Sequence, residues 1–137
     1  MTTQKDIVIL QSQIEILKKH AQEQAPNESC AILFGKISDG RYTIKETFLT
    51  KNTENSPYSF TISPEELIEA YKIAERKSLD VIAIFHSHPD SAAYPSSTDE
   101  KFMRINPVPW IIYSNSTDEV RAYILESVIT SLRVLIS

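Results

Sequence analysis

Two histidines, His86 and His88, stand two positions apart at the end of an apolar run, and serines and an acid follow in the stretch "IFHSHPDSAAYPSSTDE". If the run is a β-strand, period-two alternation sends both imidazoles to one face, where they can share one ion. Asp99 comes eleven positions after His88, at the start of a helical pattern, and the loop between them, with Pro89 and Pro95, can fold it back. Two histidines and a carboxylate form a catalytic zinc set: Zn²⁺ takes imidazole nitrogen at about 2.0–2.1 Å and carboxylate oxygen at a similar distance, leaving a fourth position for water. Zinc brings the pKa of such a water to about 7. A closed structural site calls for a fourth protein ligand, most often cysteine, and the single cysteine, Cys30, is distant in sequence.

Hydrolysis also needs a group that takes the water's proton and returns one to the leaving amine, and one carboxylate can do both in turn. Spacing alone does not choose among the 18 acidic residues. Glu28 is favoured because it sits at the junction of a helical segment and an apolar strand rather than on a solvated helical face. Ser96, three before Asp99, is placed to donate to the oxyanion of a tetrahedral intermediate. Each residue also has a plainer reading. Asp99 and Ser96 suit a helix N-terminus, Glu28 suits a loop, and a histidine pair alone is more often structural than metal-bound.

The elements that must position these groups follow from periodicity. "DIVILQ" reads as a short strand or apolar lead-in. In "SQIEILKKHAQEQAP", Ser12 and Glu15 have capping-box spacing, Ile14, Leu17, Ala21 and Ala25 share one helical face, and Pro26 ends the run. "CAILFGKI" and "RYTIKETFLT" flank Asp39-Gly40 as a β-hairpin. After the polar "KNTENSPYS", Ser63-Pro64-Glu65-Glu66 opens a second helix with Leu67, Tyr71 and Ala74 facing the core. "DVIAIF" is a strand buried on both faces. "SSTDEKFMRI" starts a third helix capped by Ser96 or Ser97 and stopped at Asn106-Pro107, and "PWIIYS", "VRAYILES" and "ITSLRVLIS" supply further strands. The expectation is an α/β fold in one domain over residues 1–137: a mixed sheet of about six strands flanked by two or three helices. Trp110, Tyr113 and Phe102 are assigned to the core. His20, beside Lys18 and Lys19, is expected to be solvated, and Cys30, among apolar neighbours, to be a buried inert thiol. Tyr58 and Phe60 are candidates to border a substrate groove.

Composition excludes several classes. A formal net charge of -4 argues against a general nucleic-acid or anionic-membrane surface. Apolar runs such as "VIAIF" are far shorter than the roughly 18–20 residues that span a bilayer. The polar start "MTTQKD" has no secretory pattern, and one cysteine forms no internal disulfide. The expected location is cytoplasmic.

The full pattern resembles a known family. His86-Ser87-His88-Pro89, six residues, then Ser96-Ser97-Thr98-Asp99 is similar to the JAMM (MPN+) signature, and "APNESCAILFGK" is similar to the segment that carries that family's catalytic glutamate. The likeness extends through "FTISPEELIEAYKIAERKSLDVIAIFHSHP", "VPWIIYS" and "VRAYIL". It implies a JAB/MPN-like fold, one zinc per chain held by His86, His88 and Asp99, Glu28 as general acid/base and Ser96 at the oxyanion. It also implies a metallo-isopeptidase acting at the C-terminus of ubiquitin-like or sulfur-carrier proteins, a desampylase-like activity. The alternatives are a processing peptidase that trims a sulfur carrier's C-terminus, and a non-catalytic MPN scaffold. The second is disfavoured because the motif is entire. Assembly as a homodimer or within a complex stays open. Ala31 and Ala83 stand where the family often has glycine, and "YSNSTDEVRAYIL" leaves little room for the second insertion of larger relatives.

Overall fold

The computed structural model describes residues 4–137. The elements run β1 (Asp6–Ile9), α1 (Gln11–Gln24), β2 (Cys30–Ser38), β3 (Arg41–Thr50), α2 (Pro64–Arg76), β4 (Asp80–His88), α3 (Ser97–Ile105), β5 (Trp110–Ser114), β6 (Glu119–Leu125) and β7 (Ile129–Ile136). The α/β class and the three helices match expectation. The sheet has seven strands among the described residues rather than six, and it closes as a barrel in the order β1-β3-β2-β4-β5-β6-β7. Closure rests on the lead-in segment. β1 is a true strand that runs parallel to both β3 and β7, with Asp6 opposite Arg41 on one side and Arg133 on the other. The Asp6 carboxylate accepts from Arg133 Nε at 3.0 Å and Nη2 at 3.2 Å, and these bonds hold its pKa below the usual carboxylate range. The pairing that closes the ring is short: β1 meets β3 only over Arg41–Thr43, so the rest of β3 is paired on its β2 side alone.

The continuous apolar runs have a simple cause: the central strands are covered on both faces. Alternate residues Ala31 and Leu33 of β2, Phe85 of β4 and Ile111 of β5 pack with Ile14, Leu17 and Ala21 of α1. On the opposite face Ile32 and Phe34 meet Ala70 and Ala74 of α2. Trp110 and Ile112 of β5, with Tyr123 of β6, pack against Met103 of α3. The methyl groups of Ala31 and Ala83 are both inside this core.

Local signals held where a cap or turn dictated them. Asp39 (φ 51°) and Gly40 (φ 75°) both adopt the positive φ of a type I′ hairpin turn. Ser63 Oγ accepts from Glu66 N–H at 3.2 Å. Four expectations need correction. The Ser12–Glu15 box is not formed: the N-cap is Leu10, two residues earlier, and the Leu10 N–H donates to Gln13 Oε1 at 2.9 Å. Ala25 lies past the helix and is exposed. On α2 the core face is Ala70 and Ala74, while Leu67 and Tyr71 point outward, because small side chains let the helix axis approach β2. Phe102 is likewise 39% exposed, whereas Trp110 and Tyr113 are buried as expected.

Gly35 is required by a close approach. It sits where the register of β2 shifts against β3, and a Cβ there would fall 1.9 Å from the carbonyl oxygen of Thr43 and 2.8 Å from Ile82 Cδ1. The first contact is backbone and cannot rotate away. Gly35→Ala is expected to destabilise the fold by about 3 kcal/mol, which for a chain of this size lowers Tm by roughly 10 °C. A thermal melt followed by circular dichroism checks this, and an unchanged Tm would show that the strand relaxes freely.

Candidate metal centre

The sequence places the site through strand register. β2 and β4 are antiparallel with Cys30 opposite His86. Continuing that register by two residues sets Ser29 opposite Ser87 and Glu28 opposite His88. The clasp between the middle pair bears this out: Ser29 N–H and Ser29 Oγ–H both donate to Ser87 Oγ, at 2.8 and 2.9 Å, and Ser87 N–H donates to Ser29 O at 3.0 Å. Ser87 therefore faces away from its two histidine neighbours and locks the Glu28 segment to the strand that carries them. The histidines emerge on the face covered by α2 and α3, and Asp99 arrives from the first turn of α3.

Three donor atoms converge. His86 Nε2 and His88 Nε2 are 3.0 Å apart, and Asp99 Oδ2 lies 3.1 Å from the first and 3.0 Å from the second. A tetrahedral zinc with bonds of about 2.05 Å has ligand-to-ligand edges of about 3.3 Å. His88 Nδ1–H donates to Ala92 O at 2.8 Å, so Nε2, which carries the lone pair whenever the ring is neutral, points toward the other two atoms. His86 Nδ1 is buried with no partner. Two imidazole nitrogens and a carboxylate oxygen, all aimed at one point and nearly devoid of solvent, are a donor set suited to a divalent cation. The group Glu28, His86 and His88, whose donor atoms lie within 4.8 Å of one another, could also hold a metal ion.

Burial tunes each group before any ion is considered. Desolvation pushes the Glu28 carboxyl up to about 8 against the opposing pull of His88, with Asp99 and Glu54 raising it further, and its Oε1 has no hydrogen-bond partner. Desolvation also raises Asp99, but the bonds from His86 and His88 outweigh it and hold the carboxyl far below its ordinary value. His86 is depressed by burial, whereas at His88 the Asp99 and Ala92 acceptors outweigh burial and raise it. The two carboxyls are thus driven apart: Asp99 is held as an anion, while the Glu28 carboxyl keeps its proton into the neutral range.

Ser96 is the N-cap of α3. Its Oγ accepts from Asp99 N–H at 3.0 Å while Asp99 Oδ2 accepts from Ser96 N–H at 2.9 Å. Capping uses the Ser96 hydroxyl oxygen as an acceptor and leaves its proton free to donate. Cys30 is fully buried, accepts from Thr50 Oγ–H at 3.2 Å, and burial pushes its thiol up to about 11, as expected of an inert thiol. His20 is not solvated: its Nε2–H bridges the carbonyls of Cys30 and Thr50, both at 3.1 Å, pinning α1 to the ends of β2 and β3. The Phe60 ring stacks on the His86 imidazole at 5.0 Å between centroids and lies 5.8 Å from Trp110. Tyr58, on the same loop, is 76% exposed. From Phe60 an apolar groove of about 230 Å³ continues along Ile62, Leu67, Ile84, Phe102 and Trp110. Ser29, Ser87 and Asn52 were not singled out from sequence, because a serine or asparagine in a polar stretch carries no periodicity.

Among the described residues no helix is long and apolar enough to cross a membrane. The family model of prokaryotic homologs of the JAB domain matches residues 10–126. The chain is 40% identical over 98 residues to a desampylase of Pyrococcus furiosus; the match takes in 72% of this chain and 66%, just under two thirds, of that protein. It is 34% identical over 113 residues to a probable TtuB-protein conjugate cleaving protease of Thermus thermophilus, covering 82% of this chain and 71% of that one. The solution structure of a Desulfitobacterium hafniense protein superposes with a TM-score of 0.88 at 23% identity, over 96% of this chain and 92% of that chain, a likeness of fold.

Proposed function

The chain belongs to the prokaryotic JAB-domain family, and from that premise we propose that it is a zinc-dependent isopeptidase that cleaves amide bonds at the C-terminus of ubiquitin-like or sulfur-carrier proteins. The observation that carries the reading is the convergence of His86 Nε2, His88 Nε2 and Asp99 Oδ2 within 3.1 Å of one another, beside a buried Glu28 whose pKa is pushed up to about 8. Similarity to a desampylase and to a probable conjugate-cleaving protease supports the substrate class. His86, His88 and Asp99 are the residues that would hold zinc, which when bound supplies Lewis acidity toward the scissile carbonyl and acidifies the attacking water.

The remaining steps belong to the chain. Glu28 takes a proton from the attacking water and delivers it to the nitrogen of the departing amine, so it ends each cycle in the state in which it began. The Ser96 hydroxyl, oriented by its bond from Asp99 N–H, donates to the oxyanion of the tetrahedral intermediate. Phe60 and Trp110 flank His86 and exclude water from that side. An extended substrate tail lies over the apolar groove from Phe60 to Phe102, its apolar side chains against Ile62 and Leu67.

The test offers zinc-loaded protein two substrates side by side: an isopeptide-linked conjugate of a sulfur-carrier protein and the same carrier with a peptide extension after its C-terminal glycines. Release of intact carrier from the conjugate, followed by mass spectrometry, is the expected result. Cleavage of the extension alone would recast the chain as a processing peptidase, and cleavage of neither by protein shown to hold zinc would favour a scaffold.

A further inference from the structure

Asn52 lies in the stretch between β3 and α2 and reads from sequence as an ordinary loop residue, yet it is only 3% exposed. Every hydrogen-bonding position of its carboxamide is used. Nδ2–H donates to Glu28 O at 3.1 Å and to Ser59 O at 3.0 Å. Oδ1 accepts from Glu54 N–H at 3.0 Å and from Thr61 N–H at 3.2 Å. The orientation of the amide is fixed by this pattern, since reversal would set its NH₂ against two N–H groups and its oxygen against two carbonyls.

The choice of partners is informative. Ser59 O and Thr61 N–H belong to the peptide units on either side of Phe60, so one side chain grips the backbone before and after the ring that stacks on His86. The third partner is the carbonyl of Glu28 itself. The Glu28 N–H donates to Ser56 O at 2.9 Å, so both backbone groups of that residue are held by the same loop. Glu54 closes the loop from its solvent side, accepting from Ser59 Oγ–H at 2.7 Å and Thr61 Oγ–H at 2.5 Å.

We infer that Asn52 is a positioning residue that couples the Glu28 backbone to the Phe60 ring, fixing in one clasp the proton carrier and the aromatic wall that stacks on His86. The inference deepens the hydrolytic role proposed for Glu28 and rests on it. Asn52 touches no reacting atom. Its effect arises through geometry, because a buried amide with all four positions satisfied holds a single arrangement, whereas any variant leaves several of these groups unpaired in a site nearly devoid of water. A displacement of about 1 Å at a reacting group costs on the order of 10²-fold in rate.

The experiment compares wild type with Asn52→Asp and Asn52→Ala. Asp keeps the size of the side chain and the acceptor for Glu54 and Thr61 but loses both donors, and the outer Glu54 clasp remains to keep the loop folded. In zinc-loaded protein, kcat on the conjugate is expected to fall about 10- to 100-fold in Asn52→Asp, with KM within about threefold and zinc content unchanged. In metal-free protein, amide hydrogen exchange should quicken at Glu28 in both variants, and at Glu54 and Thr61 in Asn52→Ala, which also loses their acceptor, while amides of β4 keep their protection. Emission of Trp110, the single tryptophan, should shift as Phe60 loosens beside it. A folded Asn52→Asp variant with kcat within twofold of wild type overturns the inference, as does a variant whose protection is lost evenly across the barrel. If wild type cleaves no substrate, the hydrolytic reading fails on its own, and the metal-free readouts decide the clasp: unchanged exchange at Glu28 and Thr61 with unchanged Trp110 emission refutes it.

Discussion

Glu28→Gln is expected to lower kcat by about 10²- to 10⁴-fold, the usual worth of a general acid/base, while the protein still binds zinc as wild type does. Both halves of that expectation are needed. Glu28 lies close enough to the two histidines to be counted among possible ligands, but Asp99 Oδ2 is at 3.0–3.1 Å from both imidazoles and its carboxyl is ionised across the whole neutral range. Glu28, by contrast, keeps its proton up to about 8 in the absence of an ion because burial penalises its charge. While it holds its proton it is a poor ligand, and as a base it acts in its ionised form, which a cation bound beside it favours. Single-turnover hydrolysis and elemental analysis on the same preparation check the two halves, and loss of zinc in Glu28→Gln would move Glu28 from base to ligand.

The same residue gives a pH signature in metal-free protein. Its folded pKa of about 8 stands above the ordinary 4.5, so between those values the folded state holds a proton that the unfolded chain has lost. Stability contributed by this group is present below about pH 4.5 and declines as pH rises toward 8, by at most about 1.4 kcal/mol per pH unit. Gln carries no such charge. The stability of Glu28→Gln relative to wild type should therefore increase from pH 4.5 to about 8 and then level off, in paired urea titrations of metal-free protein. A difference independent of pH would mean that the carboxyl is solvated.

The convergence of His86, His88 and Asp99 was legible before the fold because these residues are close in sequence and constrained by period. His86 and His88 needed only a strand, and Asp99 needed only a helix start that Ser96 announces. What escaped had distant partners. β1 reads as a lead-in because the strand that closes the barrel against it, β7, lies at the other end of the chain. His20 reads as solvated from Lys18 and Lys19, although the two carbonyls that it bridges come from different strands. On α2, Leu67 and Tyr71 share a helical interval with Ala74, but hydrophobicity alone cannot tell that the alanines make the closer contact and leave Leu67 to line a groove and Tyr71 exposed. Asn52 is the sharpest case: its five backbone partners lie in residues 28 to 61, and no local pattern links them.

Asp99 carries two roles that a single substitution would confuse, and two variants separate them. As the third residue of α3 its carboxylate accepts from Ser96 N–H, and as the anion between His86 and His88 it completes the donor set. Asp99→Asn retains an oxygen that can accept from Ser96 N–H but loses the charge, whereas Asp99→Ala loses both. Zinc affinity is expected to fall in both variants by more than the about 10- to 100-fold typical of removing a group one bond further from a metal. Helix capping separates them: Asp99→Ala should melt lower by the equivalent of about 1 kcal/mol, the usual worth of a cap, and Asp99→Asn should not. Competition titration with a chromophoric chelator measures the first effect and thermal melts of metal-free protein measure the second. Wild-type affinity in Asp99→Asn would leave Glu28, His86 and His88 as the set that holds the ion, and with it would go the assignment of Glu28 as the proton carrier, since one carboxylate cannot both ligate the metal and shuttle the proton.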